Sequence, residues 1–421
     1  MQMRGIVLLL VGVLANQSGS AQVNRIDLVR SDAPELAALG DYAIGVRTIE
    51  LTDADRADVL NTENGGETAR YNRTLTVEVW YPATLRDGQQ PGGQYVTSTR
   101  NTAITATLSG SAVRDAQRLT PAEAFPLVII SHGYPGNRYL LSHLGENLAT
   151  KGYVVVSIDH LESTYTDQQA FSSTLYHRAL DQRFVLGQID ALSRDSTSFL
   201  DGLVDANLTA VVGYSMGGYG LLNNLGAGYN PAVVALPVAP PNGMLAEHTE
   251  LNDAYRDNLD VRIRAGVAIA PWGMNNGMWR QEDLQKIGPP TFYVSGNIDR
   301  TAGYENGTRA IFEGARNSDR YLLTFENSGH NAGAPIPVPV ELLASGDSTG
   351  ISHYIDPVWD NLRMNNIMDH FITAFLDLHL KGIEERAAYL DLPIESEQGW
   401  LGFDAGPAVG LTLEHLTPVA E

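Results

Sequence analysis

Gly213-Tyr214-Ser215-Met216-Gly217 sets one serine between two glycines, the spacing of a hydroxyl nucleophile held on a tight turn. A serine hydroxyl attacks a carbonyl carbon when a base takes its proton and backbone N–H groups wait for the oxyanion. The flanking glycines permit the close backbone approach that such a turn needs. The chemistry implied is acyl transfer through a covalent intermediate. The pattern also recurs as Gly346-Asp347-Ser348-Thr349-Gly350, and with 41 glycines in 421 residues a chance match is expected.

The elements around the two serines separate them. "LTAVV" (208–212) is an apolar, β-branched run ending at Gly213, and "GGYGLLNNLGAG" (217–228) starts as a helix. A strand entering a sharp turn and then a helix lifts a side chain clear of a sheet and points a helix N-terminus at it. Ser348 has no β-branched run before it and no helical pattern after it, so Ser215 is the expected nucleophile.

Further apolar runs give the frame. "FPLVIISHG" (125–133), "YVVVSIDH" (153–160), "AGVAIAPW" (265–272), "PTFYVSGNID" (290–299) and "RYLLTFENSGH" (320–330) read as buried strands. Helical patterns at 139–152, 176–195 and 363–382 alternate with them, which predicts a mostly parallel central sheet flanked by helices, an α/β fold. In such sheets ligands lie beyond the carboxyl ends of the strands. Residues 22–120 read as a β-rich N-terminal part of the same domain, with strands at 42–51 and 73–83. The polar stretch between them reads as a turn-prone loop, and 86–120 as loop with a short helix. The core is expected over 121–383, with insertions at 229–262 and 331–361 covering the site, and a tail at 384–421 packed on that core.

Composition narrows the function. A net charge of −21 without a Lys/Arg block argues against nucleic acid as a partner. The absence of cysteine removes disulfides, thiolate metal sites and a cysteine nucleophile together. No His/carboxylate cluster has metal-ligand spacing, so neither metal nor cofactor is expected. Met1–Arg4, the apolar run "GIVLLLVGVLA" and the small residues Gly19-Ser20-Ala21 have a signal-peptide layout over 1–21. Cleavage near Ala21 and export to the periplasm or medium are expected, with no membrane span elsewhere.

Five pieces in register, "VIISHGYPGNR", "GYSMGG", "AIAPW", "FYVSGNIDR" and "NSGH", resemble the α/β-hydrolase superfamily across roughly residues 73–382. The likeness is to its dienelactone-hydrolase-like, platelet-activating-factor-acetylhydrolase-like and cutinase-like polyester hydrolase branches. The resemblance implies an α/β-hydrolase fold and a Ser…Asp…His order filled by Ser215, Asp299 and His330, with the acid orienting the imidazole. It implies an oxyanion hole from the N–H groups of Met216 and Tyr134, with Trp272 against the substrate. Among the other histidines, His132 belongs to the oxyanion loop, His160 ends a strand where it can line the pocket, His353 lies in the second insertion and His370 on the closing helix. True dienelactone hydrolases use the cysteine that this chain lacks. The expectation is an exported serine carboxylesterase acting on a small-molecule ester. The alternatives are an amidase/peptidase or a polyester hydrolase on the same triad.

Overall fold

The computed structural model describes residues 23–396 and 399–419. The leader expected over 1–21 lies outside them. In chain order come β1 (Asn24–Arg25), β2 (Ile44–Ala57), β3 (Arg70–Thr84), β4 (Gly93–Ser98), β5 (Thr105–Gly110), β6 (Val113–Arg114) and β7 (Gln117–Arg118). The alternating part follows, with β8 (Phe125–Ser131), α1 (Ser142–Thr150), β9 (Val154–Asp159), α2 (Phe171–Ser193), β10 (Val204–Tyr214) and α3 (Met216–Asn224). It continues through α4 (Asp253–Asp257), β11 (Ile263–Ile269), α5 (Gln281–Leu284), β12 (Thr291–Gly296), α6 (Ala310–Gly314) and β13 (Arg320–Phe325). The last elements are α7 (Val340–Ser345), α8 (Ser348–Ser352), α9 (Asn361–Lys381) and β14 (Leu411–Leu416).

The large sheet runs β14-β13-β12-β11-β10-β8-β9-β3-β2-β6. From β9 to β13 every pairing is parallel, while β3, β2 and β14 pair antiparallel at the flanks. Successive side chains of the central strands enter opposite cores, as the period-2 geometry of a strand requires. In β8, Val128 and Ile130 join one core with α1 and α9, while Leu127 and Ile129 join the other with α2 and α3. Burial on both faces is why these strands read as continuous apolar runs. The closing helix α9 starts where the Asp360 side chain accepts the Arg363 N–H (2.9 Å) and stops at Gly382 with φ 65°. Its Phe371 and Phe375 pack on Phe292 of β12. Among the described residues no helix is long and apolar enough to cross a membrane.

Four expectations change. Residues 86–120 hold no helix; β4 and β5 pair and form a three-stranded sheet with β1. Their alternate positions Tyr95, Ala106 and Leu108 are buried, and Trp80 donates its indole N–H to the Tyr95 hydroxyl (3.0 Å). The polar stretch after residue 51 extends β2 to Ala57 instead of forming a loop at once. A helix, α8, begins at Ser348 itself, capped by the Asp347 side chain.

The fourth concerns the insertion 229–262, which does not cover the site. Tyr229 stacks on Tyr219 of α3 (ring centroids 4.6 Å) and His248 gives its carbonyl to the Asn223 side chain (3.1 Å). Its apolar residues Tyr229, Val233 and Leu245 join the core on the α2/α3 side, so burying them pulls the segment away from the carboxyl ends of the strands.

Candidate active site

The second half of β10 is fully buried up to Gly213, and the chain then turns at Ser215 with φ 52° and ψ −110°. A side chain held at positive φ is a strained backbone state that persists only where the surroundings impose it. Here β11 imposes it: the Ser215 N–H donates to Ile269 O (2.9 Å), and the Ser215 carbonyl accepts the Trp272 N–H (3.2 Å). Both glycines are obligatory for contact reasons. A Cβ on Gly217 would stand 1.9 Å from Ser131 O, and one on Gly213 would stand 2.4 Å from Gly217 C. Gly217→Ala is therefore expected to destabilise the fold by about 3 kcal/mol. Thermal unfolding followed by circular dichroism checks this, and an unshifted midpoint would refute it.

The loops after β12 and β13 bring the other two residues in. His330 Nε2 lies 3.0 Å from Ser215 Oγ, and His330 Nδ1 lies 2.8 Å from Asp299 Oδ2. The second Asp299 oxygen accepts the N–H groups of Thr301 (2.7 Å) and Ala302 (3.1 Å). Burial pushes the Asp299 carboxyl up, but the His330 hydrogen bond and charge, with the two amides, outweigh it and hold the group below its ordinary value. A charged acid in this position keeps Nδ1 protonated and leaves Nε2 free to receive a proton from the hydroxyl.

Asp356, from the second insertion, fastens the histidine loop; the sequence reading did not single it out. Its Oδ2 accepts from Ser328 Oγ and the Gly329 N–H (both 2.8 Å), while its Oδ1 accepts the N–H groups of Val358 and Trp359 (both 2.9 Å). Asp356→Ala leaves four donors without an acceptor and frees the residues just before His330. It should lower kcat about ten- to a hundredfold through loss of alignment, measured on p-nitrophenyl acetate at saturating substrate. A wild-type kcat would remove Asp356 from this role.

Met216 follows Ser215, and Tyr134 lines the same pocket as the serine. Met216 opens α3, so its N–H has no acceptor within the helix and carries the positive end of the helix dipole. Tyr134 follows Gly133, whose carbonyl accepts His132 Nδ1–H (2.7 Å) and Arg178 Nη2 (3.4 Å). The N–H of a trans peptide points opposite to its C=O, so holding the Gly133 oxygen fixes the direction of the Tyr134 N–H, and both residues line the pocket. Arg178 also binds the His132 carbonyl and the Ser163 hydroxyl and is 1% exposed. Burial pushes its guanidinium down to about 9.

Three residues along from Arg178 on α2, Asp181 takes part in a second serine–histidine–aspartate set. His160 Nε2 accepts from Ser131 Oγ (2.8 Å) and its Nδ1 donates to Asp181 Oδ2 (3.0 Å), while Arg73 grips both Asp181 oxygens (2.9 Å each). His160 thus ties β8 and β9 to α2 instead of lining the pocket. With Ser131 fully buried at the end of β8, no substrate reaches this relay. Burial drives the His160 imidazole down to about 3, so it is neutral at pH 7. His132 is also buried and structural, and His370 Nδ1 accepts the Leu36 N–H (3.0 Å) far from the elbow. His353 lines the pocket.

That pocket encloses about 470 Å³ over Ser215 and His330. Gly133, Tyr134 and Thr301 form one part of its wall, and Thr349, Ser352 and Ile355 of the second insertion another. Trp272 is not among its lining residues. Its indole packs edge-on against Phe171 (5.2 Å) and Tyr219 (6.0 Å), and its backbone N–H is what meets the elbow. Ser348 is exposed on α8.

Known proteins resemble the chain in part. A family described as PET hydrolase-like matches residues 91–248. Two cutinases of Thermobifida alba match over 206 residues, 49% of this chain: est1 at 25% identity and est2 at 32%. The matched stretch covers 53% and 52% of those proteins, so the chain spans about half the length of the curated relatives it matches. Platelet-activating factor acetylhydrolase of Cavia porcellus is 21% identical over 51% of this chain and 49% of its own. A solved ferulic acid esterase from Streptomyces cinnamoneus superposes with a TM-score of 0.55 at 21% identity, over 83% of this chain and 94% of that one. This last likeness carries the fold. With the parallel sheet, the serine elbow after β10 and the likeness to this esterase together, the chain has an α/β-hydrolase fold.

Proposed function

We propose that the protein is a serine carboxylesterase with Ser215 as nucleophile, His330 as general base and acid, and Asp299 as the orienting acid. The reading rests on one observation: the continuous relay Ser215 Oγ–His330 Nε2 (3.0 Å) and His330 Nδ1–Asp299 Oδ2 (2.8 Å) at the floor of a pocket. Ser215 Oγ bonds to the ester carbonyl carbon as its proton passes to Nε2, and the oxyanion takes the N–H groups of Met216 and Tyr134. The C–O bond to the alcohol breaks as Nε2 returns the proton to the leaving oxygen. Water then gives a proton to Nε2 and its oxygen to the acyl carbon, and Ser215 recovers its hydrogen as the acid departs. No cofactor enters these steps. The leader layout at the N-terminus supports an exported enzyme.

A fluorophosphonate adduct mapped by mass spectrometry tests the reading. Labelling is expected on the peptide carrying Ser215, and labelling on Ser348 would overturn the assignment. A second reading, hydrolysis of a polyester, has the PET hydrolase-like match and the cutinases in its favour. Against it stands the wall that the 331–361 segment raises beside Ser215, which suits a soluble ester better than a polymer surface. An amidase would use the same relay, and comparing an ester with the matching anilide separates the two.

A further inference from the structure

The pocket over Ser215 contains one cation that the mechanism does not use. Arg100 lies in the turn between β4 and β5 and lines the same pocket as Ser215, His330 and Tyr134. Elsewhere the buried Arg73 and the half-buried Arg138 hold carboxylates. Arg100 pairs with no carboxylate among the described residues, and its guanidinium makes a single hydrogen bond there, from Nη1 to Gln168 Oε1 (3.3 Å). The carboxylate that shares this pocket, Asp356, already accepts four protein donors.

The turn carrying Arg100 is held firmly. Asn137 donates to Thr97 Oγ1 (2.8 Å) and Ser98 O (3.0 Å), Thr99 Oγ1 donates to Asn101 O (2.9 Å), and Asn101 Nδ2 donates to Asp347 Oδ2 (3.0 Å) at the start of α8. The hairpin and the second insertion are thus tied together, and both contribute to the pocket lining. Thr349 and Ser352 of the second insertion line the same pocket. In a chain of net charge −21 a guanidinium at the site with no carboxylate partner opposes the general field.

We infer that Arg100 forms an anion subsite that selects esters carrying a second, ionised carboxylate, the half-esters of dicarboxylic acids. A guanidinium fork matches a carboxylate with two parallel hydrogen bonds, which a lysine does not reproduce. One monovalent cation balances one carboxylate, whereas a phosphate dianion would leave negative charge beside Asp356. The inference rests on the esterase reading and names its substrate class.

Hydrolysis of monoethyl and diethyl adipate by the full chain tests it, read as the ratio of the two kcat/KM values. The wild type is expected to favour the half-ester. Arg100→Gln should lower the half-ester to diester ratio roughly ten- to a hundredfold, chiefly through KM of the half-ester, and Arg100→Lys should lower it less. Free adipate should inhibit the wild type competitively and Arg100→Gln more weakly. The subsite is overturned if the ratio in Arg100→Gln stays within about twofold of the wild type, inside the variation expected of a surface substitution. Failure of the wild type on both adipates and on p-nitrophenyl acetate would instead remove the esterase reading, and the subsite with it.

Discussion

Replacing Ser215 with alanine is expected to lower kcat for p-nitrophenyl acetate by on the order of ten thousand- to a million-fold. The variant loses the only atom at this position that can bond to the acyl carbon, and no neighbouring hydroxyl substitutes for it. Ser131, which has its own histidine and aspartate, is fully buried, and Ser348 is exposed on α8 with no histidine on its hydroxyl among the described residues. The fold should be untouched. The Ser215 side chain makes one hydrogen bond, to His330 at the pocket floor, and alanine can occupy the same turn, so stability should change by less than about 1 kcal/mol. Ser348→Ala is the matched control and should retain wild-type kinetics. Initial rates and a melting curve on each variant suffice, and an inactive Ser348→Ala beside an active Ser215→Ala would sink the whole scheme.

That contrast shows which features were readable from the chain. The central strands were legible because a parallel strand covered on both faces needs apolar residues on both, and β8 to β13 each carry a short apolar run. Ser215 was legible through its strand and helix, and Asp299 and His330 through their positions after β12 and β13. The β4/β5 hairpin was not legible. Its buried positions alternate with threonines and serines, and what makes it a strand pair is burial of Tyr95 against Trp80, residues that meet only in three dimensions. The path of 229–262 was hidden for the same reason, since only the stacking of Tyr229 on Tyr219 sends it to the α2/α3 flank.

Residues that position others were the hardest to find. Arg178 and Asp181, three apart on α2, do not stand out, because the same helix also carries Gln182, Arg183, Gln188 and Asp190. Nothing local announced that one holds the carbonyls of His132 and Gly133 and the other a buried histidine. Arg100 and Asp356 gave no signal, because their roles depend on the hairpin and the second insertion meeting over the pocket.

Asp299→Asn should lower kcat about ten-thousand-fold while leaving KM and the melting temperature close to those of the wild type. The reason lies in the donor count. Both Asp299 oxygens accept: Oδ1 from the Thr301 and Ala302 amides, Oδ2 from His330 Nδ1–H. Asparagine has one oxygen for these three donors. The two amides are fixed by the backbone and retain it, which turns the side-chain NH2 toward His330. The imidazole then accepts at Nδ1 and carries its proton on Nε2, the atom that must take the proton of Ser215. The geometry of the relay survives and its direction reverses. Asp299→Ala makes the opposite comparison: it strands the Thr301 and Ala302 amides as well, so it should cost about 1–3 kcal/mol of stability per lost acceptor in addition to the rate. If Asp299→Asn kept near-wild-type kcat, His330 would be drawing its orientation from another acid. Asp356 is the other carboxylate that holds that loop, and its oxygens are already engaged by Ser328, Gly329, Val358 and Trp359.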